Sequence, residues 1–151
     1  MTAVLRRATP ADAAAIRELT RAAYAKWVPL IGREPLPMGV DYDDTVRRHR
    51  FDLLEEGDDL VALIETTPSG EQLLIVNVAV RPDRQGRGYG KRLLAHADAL
   101  ARETGLRRLW LYTNQRFEEN IRLYAAVGYR IDREEPLNGG VAVHMMKTLE
   151  P

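Results

Sequence analysis

Cysteine is absent from the 151 residues. That excludes a disulfide framework, thiolate metal sites and a cysteine nucleophile. Histidine is scarce. His49, His96 and His144 lie far apart, with no pair at helical metal-site spacing, so no metal is expected. Neither charge is in excess, since 22 Lys+Arg balance 22 Asp+Glu. Nucleic-acid binders usually carry a basic surplus, so no nucleic-acid partner is expected. No apolar run nears the roughly 18 residues that span a bilayer. The opening MTAVLRRATPADAA lacks the apolar core of a signal peptide. Together these predict a cytoplasmic protein without a membrane partner.

Hydrophobic residues make up 45% of the chain, enough for a packed core rather than a disordered chain. The length predicts one domain, residues 1–151. Val4–Arg7 reads as a first strand. Thr9-Pro10-Ala11-Asp12 is a helix-start signal, followed by Ala15, Ile16, Leu19, Ala22 and Ala23 at helical spacing. Residues 29–40 hold three prolines and two glycines and read as an apolar loop. A short helix is expected over 41–49. Strands are expected over 50–54, 60–66 and 73–80, with turns at Gly57-Asp58-Asp59 and Pro68-Ser69-Gly70. The run LLIVNVAV (73–80) reads as central and apolar on both faces apart from Asn77. A helix over 90–104, a strand over 109–112 and a helix over 119–127 follow. Strands over 129–133 and 141–149, joined by a turn at 137–140, close the chain. The order β-α-α-β-β-β-α-β-α-β-β predicts an α+β domain with a mixed sheet.

The most informative stretch is VAVRPDRQGRGYGKRLL, from Val78 to Leu94. A buried strand ends, a turn with glycines at Gly86, Gly88 and Gly90 follows, and a helix begins. Glycine permits left-handed φ angles and close approach of a ligand to the backbone. Free N–H groups at a helix start make a concave anion site. Five bases and one acid between Arg81 and Arg92 give a local charge of +4. The chemistry indicated is binding of a phosphate or pyrophosphate. The stretch is neither a Walker loop nor the dinucleotide fingerprint, because it follows a β-meander.

Here the sequence resembles the GNAT superfamily of acyl-coenzyme A-dependent N-acyltransferases. Gln85-Gly86-Arg87-Gly88-Tyr89-Gly90 matches the family's Q/R-x-x-G-x-G/A motif. Asn77-Val78-Ala79-Val80-Arg81-Pro82 matches the strand before it, and Leu123-Tyr124-Ala125-Ala126-Val127-Gly128-Tyr129 matches a later motif. The resemblance covers nearly the whole chain and implies a mixed, mostly antiparallel sheet flanked by helices. It implies N-acetyl transfer from acetyl-CoA to a primary amine of a small molecule or peptide, and many relatives pair as homodimers. The alternative is a non-catalytic acyl-CoA sensor of the same fold.

The resemblance also implies site residues. Backbone groups of Val78, Ala79 and Val80 would hold the pantetheine arm like an added strand, in a slot where that strand splays from 109–112. The Val80 N–H would polarise the thioester carbonyl. Backbone N–H groups from Gln85 through Gly86, Arg87, Gly88, Tyr89 and Gly90 to Lys91 would hold the pyrophosphate. Tyr124 would donate a hydrogen bond or proton to the departing thiolate. Where many relatives carry an asparagine, this chain has Phe117, with Asn120 and Asn114 as nearby polar substitutes. Asn120 is taken as a cofactor contact. For the proton of the amine, Glu65, Glu71, Glu118 and His144 are candidates, with a water chain as the default route. Tyr24, Trp27, Arg33 and Asn77 are expected to border the acceptor. The acid-rich stretch 41–59 could attract a cationic amine.

Overall fold

The computed structural model describes residues 2–137 and 139–150. Asn138, part of the expected turn at 137–140, lies outside the described residues. Seven strands form one sheet: β1 (Val4–Arg7), β2 (Arg50–Glu56), β3 (Asp59–Ser69), β4 (Gln72–Val80), β5 (Arg108–Asn114), β6 (Arg130–Leu137) and β7 (Gly140–Thr148). Their spatial order is β1-β2-β3-β4-β5-β7-β6. Every pairing is antiparallel except β4 with β5. The helices are α1 (Ala13–Tyr24), α2 (Val28–Ile31), α3 (Tyr42–Arg48), α4 (Tyr89–Glu103) and α5 (Glu118–Ala126). The mixed, mostly antiparallel α+β fold matches the expectation.

Each face of the sheet has its own core. Leu93, Leu94, Ala97, Leu100 and Ala101 form the apolar stripe of α4. They pack with Leu54, Ile64, Ile75, Leu109 and Leu111. On the opposite face, Ile16, Leu19 and Ala23 of α1 and Tyr42 of α3 pack with Phe51, Leu53, Leu63 and Ala79. None of the described helices is long and apolar enough to cross a membrane.

Three expectations change. The segment 29–40 is not all loop. Pro29 sits in the first turn of α2, where its missing N–H costs nothing, and Gly32 at φ 75° ends that single turn. A short 3-10 turn over Leu36–Gly39 follows. Next, Pro68 and Ser69 belong to β3 rather than to a turn. Pairing of β2 stops at Thr66, so Pro68 sits beyond that neighbour, where a missing donor is tolerated.

The third change positions the site. β4 sends apolar side chains to both faces, but its faces switch midway: its register with β3 jumps from Asn77↔Glu65 to Ile75↔Thr66, skipping Val76. A β-bulge of this kind reverses the side-chain alternation. Leu73 and Ile75 therefore join the α4 core, whereas Ala79 packs with α1 and the Asn77 amide bonds Thr20 of that helix. Val76 is left 37% exposed and Asn77 is buried, the reverse of what hydropathy suggests. A second break lies on the other side of β4. Its parallel pairing with β5 covers only Gln72–Leu74 against Arg108–Trp110, so from Ile75 onward β4 has no β5 partner.

Candidate active site

Two cavities open on this unpaired stretch of β4, and Tyr24 lines both. The smaller, about 390 Å³, runs between β4, the loop from Arg84 to Lys91 and the exposed side of α5. The larger, about 760 Å³, lies under α2 and α3 and extends to β5 and β7.

The smaller cleft brings together a glycine turn, a helix N-terminus and unpaired strand peptide groups. Gly86 and Gly88 adopt φ 80° and 84°, in the left-handed region that favours glycine. Gly88 is the N-cap of α4, so the first free N–H groups of that helix face the cleft. At Gly90 a Cβ would stand 3.1 Å from Leu123 Cδ2, so the missing side chain lets α4 and α5 approach closely. Backbone strand groups complete the cleft. The carbonyl of Val80 accepts from Gln85 Nε2 at 3.2 Å, and that of Val78 lies 3.5 Å from the Tyr24 hydroxyl, whereas Arg81 N–H bonds β3 at Val61. Strand alternation then aims the N–H groups of Val78 and Val80 into the gap as well.

The basic surplus of the loop is spent largely inside the protein. Arg81 pairs with Asp83 at 2.6 Å. Arg84 pairs with the buried Glu56 at 2.8 Å and with Asp83 at 3.0 Å. Arg92 donates to the Ala3 carbonyl at 2.7 Å. Glu56 also accepts from the Tyr89 hydroxyl. Hydrogen bonds from Tyr89 and Arg84 hold its carboxyl below the usual carboxylate range. Of the predicted cofactor contacts, Val78, Ala79, Val80, Gln85, Gly86, Gly88, Tyr89, Gly90, Lys91 and Asn120 line the cleft, and Arg87 does not.

Tyr124 lies on α5, 7% exposed, and lines the same cleft. Its ring meets Tyr129 edge-on at 6.1 Å. Its hydroxyl has no hydrogen-bond partner among the described residues, and burial pushes the phenol up to about 12. Phe117 fills its position with packing instead of an amide. It stacks on Trp27 at 4.4 Å, and both are buried. This stacking turns Trp27 toward the smaller cleft and away from the acceptor side where it was expected. Sequence reasoning missed Lys26. Its ammonium sits over the Trp27 ring and reaches across the cleft mouth to Gln85 Oε1 at 3.1 Å and Glu119 Oε2 at 3.4 Å.

Tyr24, Arg33 and Asn77 line the larger cavity. Asn77 is fully engaged: its Oδ1 accepts from the Tyr24 hydroxyl at 2.7 Å and its Nδ2 donates to Thr20 at 3.4 Å. It fixes Tyr24 at the junction of the cavities. Asn114 takes a turn role, accepting from Arg116 N–H at 2.8 Å. Of the four proton-acceptor candidates, Glu65 alone lines the cavity. His144 is held between Trp110 Nε1 at 3.0 Å and Glu135 at 2.7 Å, and Glu71 and Glu118 line neither cavity. Leu36, Val76, Tyr112 and Leu137 leave apolar surface exposed at the cavity mouth. Among the described residues, no cluster of three acidic or histidine side chains could hold a metal ion.

The "Acetyltransferase (GNAT) family" model matches residues 14–129, and the chain belongs to that family. Its fold is similar to the PaiA N-acetyltransferase of Thermoplasma acidophilum in complex with coenzyme A, with a TM-score of 0.85 at 17% identity, covering 98% of this chain and 99% of that one. It is also similar to the ribosomal-protein-S18-alanine N-acetyltransferase of Escherichia coli, with a TM-score of 0.80 at 20% identity, covering 99% of this chain and 95% of that one. In sequence it is 39% identical over 67 residues to N-alpha-acetyltransferase 80 of Mus musculus, a stretch that is 44% of this chain and 19% of that protein.

Proposed function

We propose that this protein transfers an acetyl group from acetyl-CoA to a primary amine of a small molecule or peptide, by direct attack of the amine on the bound thioester. The observation that carries the reading is the meeting of two cavities at Tyr24, beside a strand whose peptide groups lack a β5 partner. The cofactor would occupy the smaller cleft. Val78 and Val80 would bond the pantetheine amides, and the N–H groups from Gln85 to Lys91 would hold the pyrophosphate. Lys91 and Asn120 would contribute side-chain contacts. The acetyl thioester supplies the activated acyl group.

The larger cavity would hold the acceptor, with apolar walls for its body and Arg33 as an anchor for an anionic substituent. Catalysis then comes from bringing the two reactants into register at the junction. The Val78 or Val80 N–H would polarise the carbonyl, and Tyr124 would face the leaving sulfur.

Two measurements test the reading. Acetyl-CoA at millimolar concentration should raise Tm by several degrees, because a ligand that binds only the folded state stabilises it. Thiol release with a panel of amines and short peptides should then identify an acceptor. No thermal shift would refute the cofactor assignment, and a shift without turnover across a broad panel would favour the acyl-CoA sensor.

A further inference from the structure

Glu65 is buried to 2% exposure in the wall of the acceptor cavity, directly across the β-pair from Asn77. Its Oε2 lies 2.6 Å from Nδ1 of His49. His49 caps the C-terminal end of α3, where its backbone N–H bonds the Thr45 carbonyl at 2.9 Å, so the ring starts from a fixed anchor. It lines the same cavity as Tyr24, Asn77 and Phe117, and its Nε2 has no hydrogen-bond partner among the described residues. A buried carboxylate is costly unless paired, and here the partner is an imidazole rather than a permanent cation. Burial raises the Glu65 carboxyl, and the His49 hydrogen bond opposes that rise.

An alkylamine reaches the cavity as an ammonium ion and must lose a proton before it can attack. A carboxylate that bonds one imidazole nitrogen orients the ring and leaves the other nitrogen as the base. We propose that His49 is the catalytic base of this acetyl transfer and that Glu65 is the positioning residue that sets its tautomer. The inference rests on the acetyltransferase reading above.

In the proposed step His49 Nε2 takes a proton from the ammonium, directly or through one water. The freed nitrogen lone pair forms the N–C bond while the C–S bond breaks. Tyr124 donates its hydroxyl hydrogen bond to the departing sulfur. The second proton lost from nitrogen ends on the thiol, and the imidazolium returns its own to solvent. The other titratable or charged groups lining this cavity are Glu65 of β3, in contact with His49, Arg48 and Tyr42 of α3, Tyr24 of α1, Arg33 and Glu34 after α2, and Tyr112 of β5.

The test has one arm that needs no acceptor. Nitrogen-15 NMR of the ligand-free protein, with His49 assigned by His49→Gln, should show Nδ1 protonated and Nε2 bare at pH 8. In the second arm, kcat/KM is followed from pH 6 to 10 with an amine that the wild type acetylates. His49→Gln should lose at least about 100-fold at pH 7, within the usual range for a general base, and the gap should close toward pH 10 as free amine becomes abundant. Glu65→Gln should lose less, with its acid limb displaced, and exogenous imidazole should partly rescue His49→Ala. Unchanged Tm shifts with CoA show that each variant is folded and loaded. The proposal is overturned if Nε2 carries the proton at pH 8. It is overturned equally if His49→Gln, folded and CoA-competent, keeps more than a third of wild-type kcat/KM throughout. If no amine is acetylated, the enzyme reading fails, and the tautomer alone decides whether the dyad exists as described.

Discussion

Replacing Tyr124 with phenylalanine asks how a buried phenol assists a leaving thiolate. The hydroxyl lines the cleft without a hydrogen-bond partner among the described residues, and burial pushes it up to about 12. An alkyl thiol sits near 8.5, so complete proton transfer from this phenol to a thiolate runs uphill by about 5 kcal/mol, at about 1.4 kcal/mol per pH unit. Tyr124 should therefore act by hydrogen bonding to developing negative charge and should keep its proton. A hydrogen bond to a charged group contributes about 1.5–3 kcal/mol. Tyr124→Phe should accordingly lower kcat by roughly 10- to 150-fold. The assay is thiol release under saturation with both substrates, from pH 6.5 to 9. The ratio of wild type to variant should be flat over that range, because a phenol near 12 does not titrate there. KM for acetyl-CoA should hold within about threefold, since the hydroxyl contacts only the sulfur late in the reaction. Tm should be unchanged or slightly higher, because the lost hydroxyl has no protein partner. A loss beyond about 10⁴-fold, or an alkaline limb seen only in the wild type, would refute the hydrogen-bonding argument. So would a loss below threefold.

Gly88→Ala forces a side chain into φ 84° with no steric neighbour to blame. The strain of roughly 1–2 kcal/mol should lower Tm by about 2–8 °C by calorimetry, and CoA affinity should fall at least tenfold by titration. Glu65→Gln should change stability with a definite pH dependence. The folded Glu65 carboxyl is raised by burial, so its contribution is present below the unfolded value of about 4.3 and is lost as pH rises through the folded one. The variant should match wild type in Tm at pH 4 and exceed it at pH 8, and a deficit that grows with pH would contradict the assignment.

Much of the fold was legible because its elements are strongly punctuated. Glycines and apolar periodicity marked α4 and β7 to within a residue or two, and the glycines of the Gln85–Lys91 loop marked the turn that opens α4. The failures share a cause. Whether Pro68 can sit in β3 depends on where β2 stops pairing, and no local signal encodes that. The faces of β4 reverse at Val76 because β3 takes a different register there, so hydropathy misread Asn77 as the exception and Val76 as the rule. His49 and Glu65 meet only when the end of α3 folds over β3, and their separation of 16 residues obeys no spacing rule. Lys26 is likewise a contact between distant elements.

The Glu56 carboxylate beneath the loop has a consequence for how the cofactor is recruited. It draws Arg84 and Tyr89 inward, as Asp83 and the Ala3 carbonyl draw Arg81 and Arg92. Oriented peptide dipoles, with Arg87 and Lys91 as cations that pair with no carboxylate among the described residues, are then left to meet a phosphate. Dipoles act at contact range, whereas free charges reach out over roughly 10 Å at 0.1 M ionic strength. Capture of the nucleotide should therefore depend less on long-range attraction than a free loop charge of +4 would imply. CoA association measured between 20 and 500 mM salt should fall with a shallow slope, set by Arg87 and Lys91 alone, a quality suited to a crowded solution of competing polyanions.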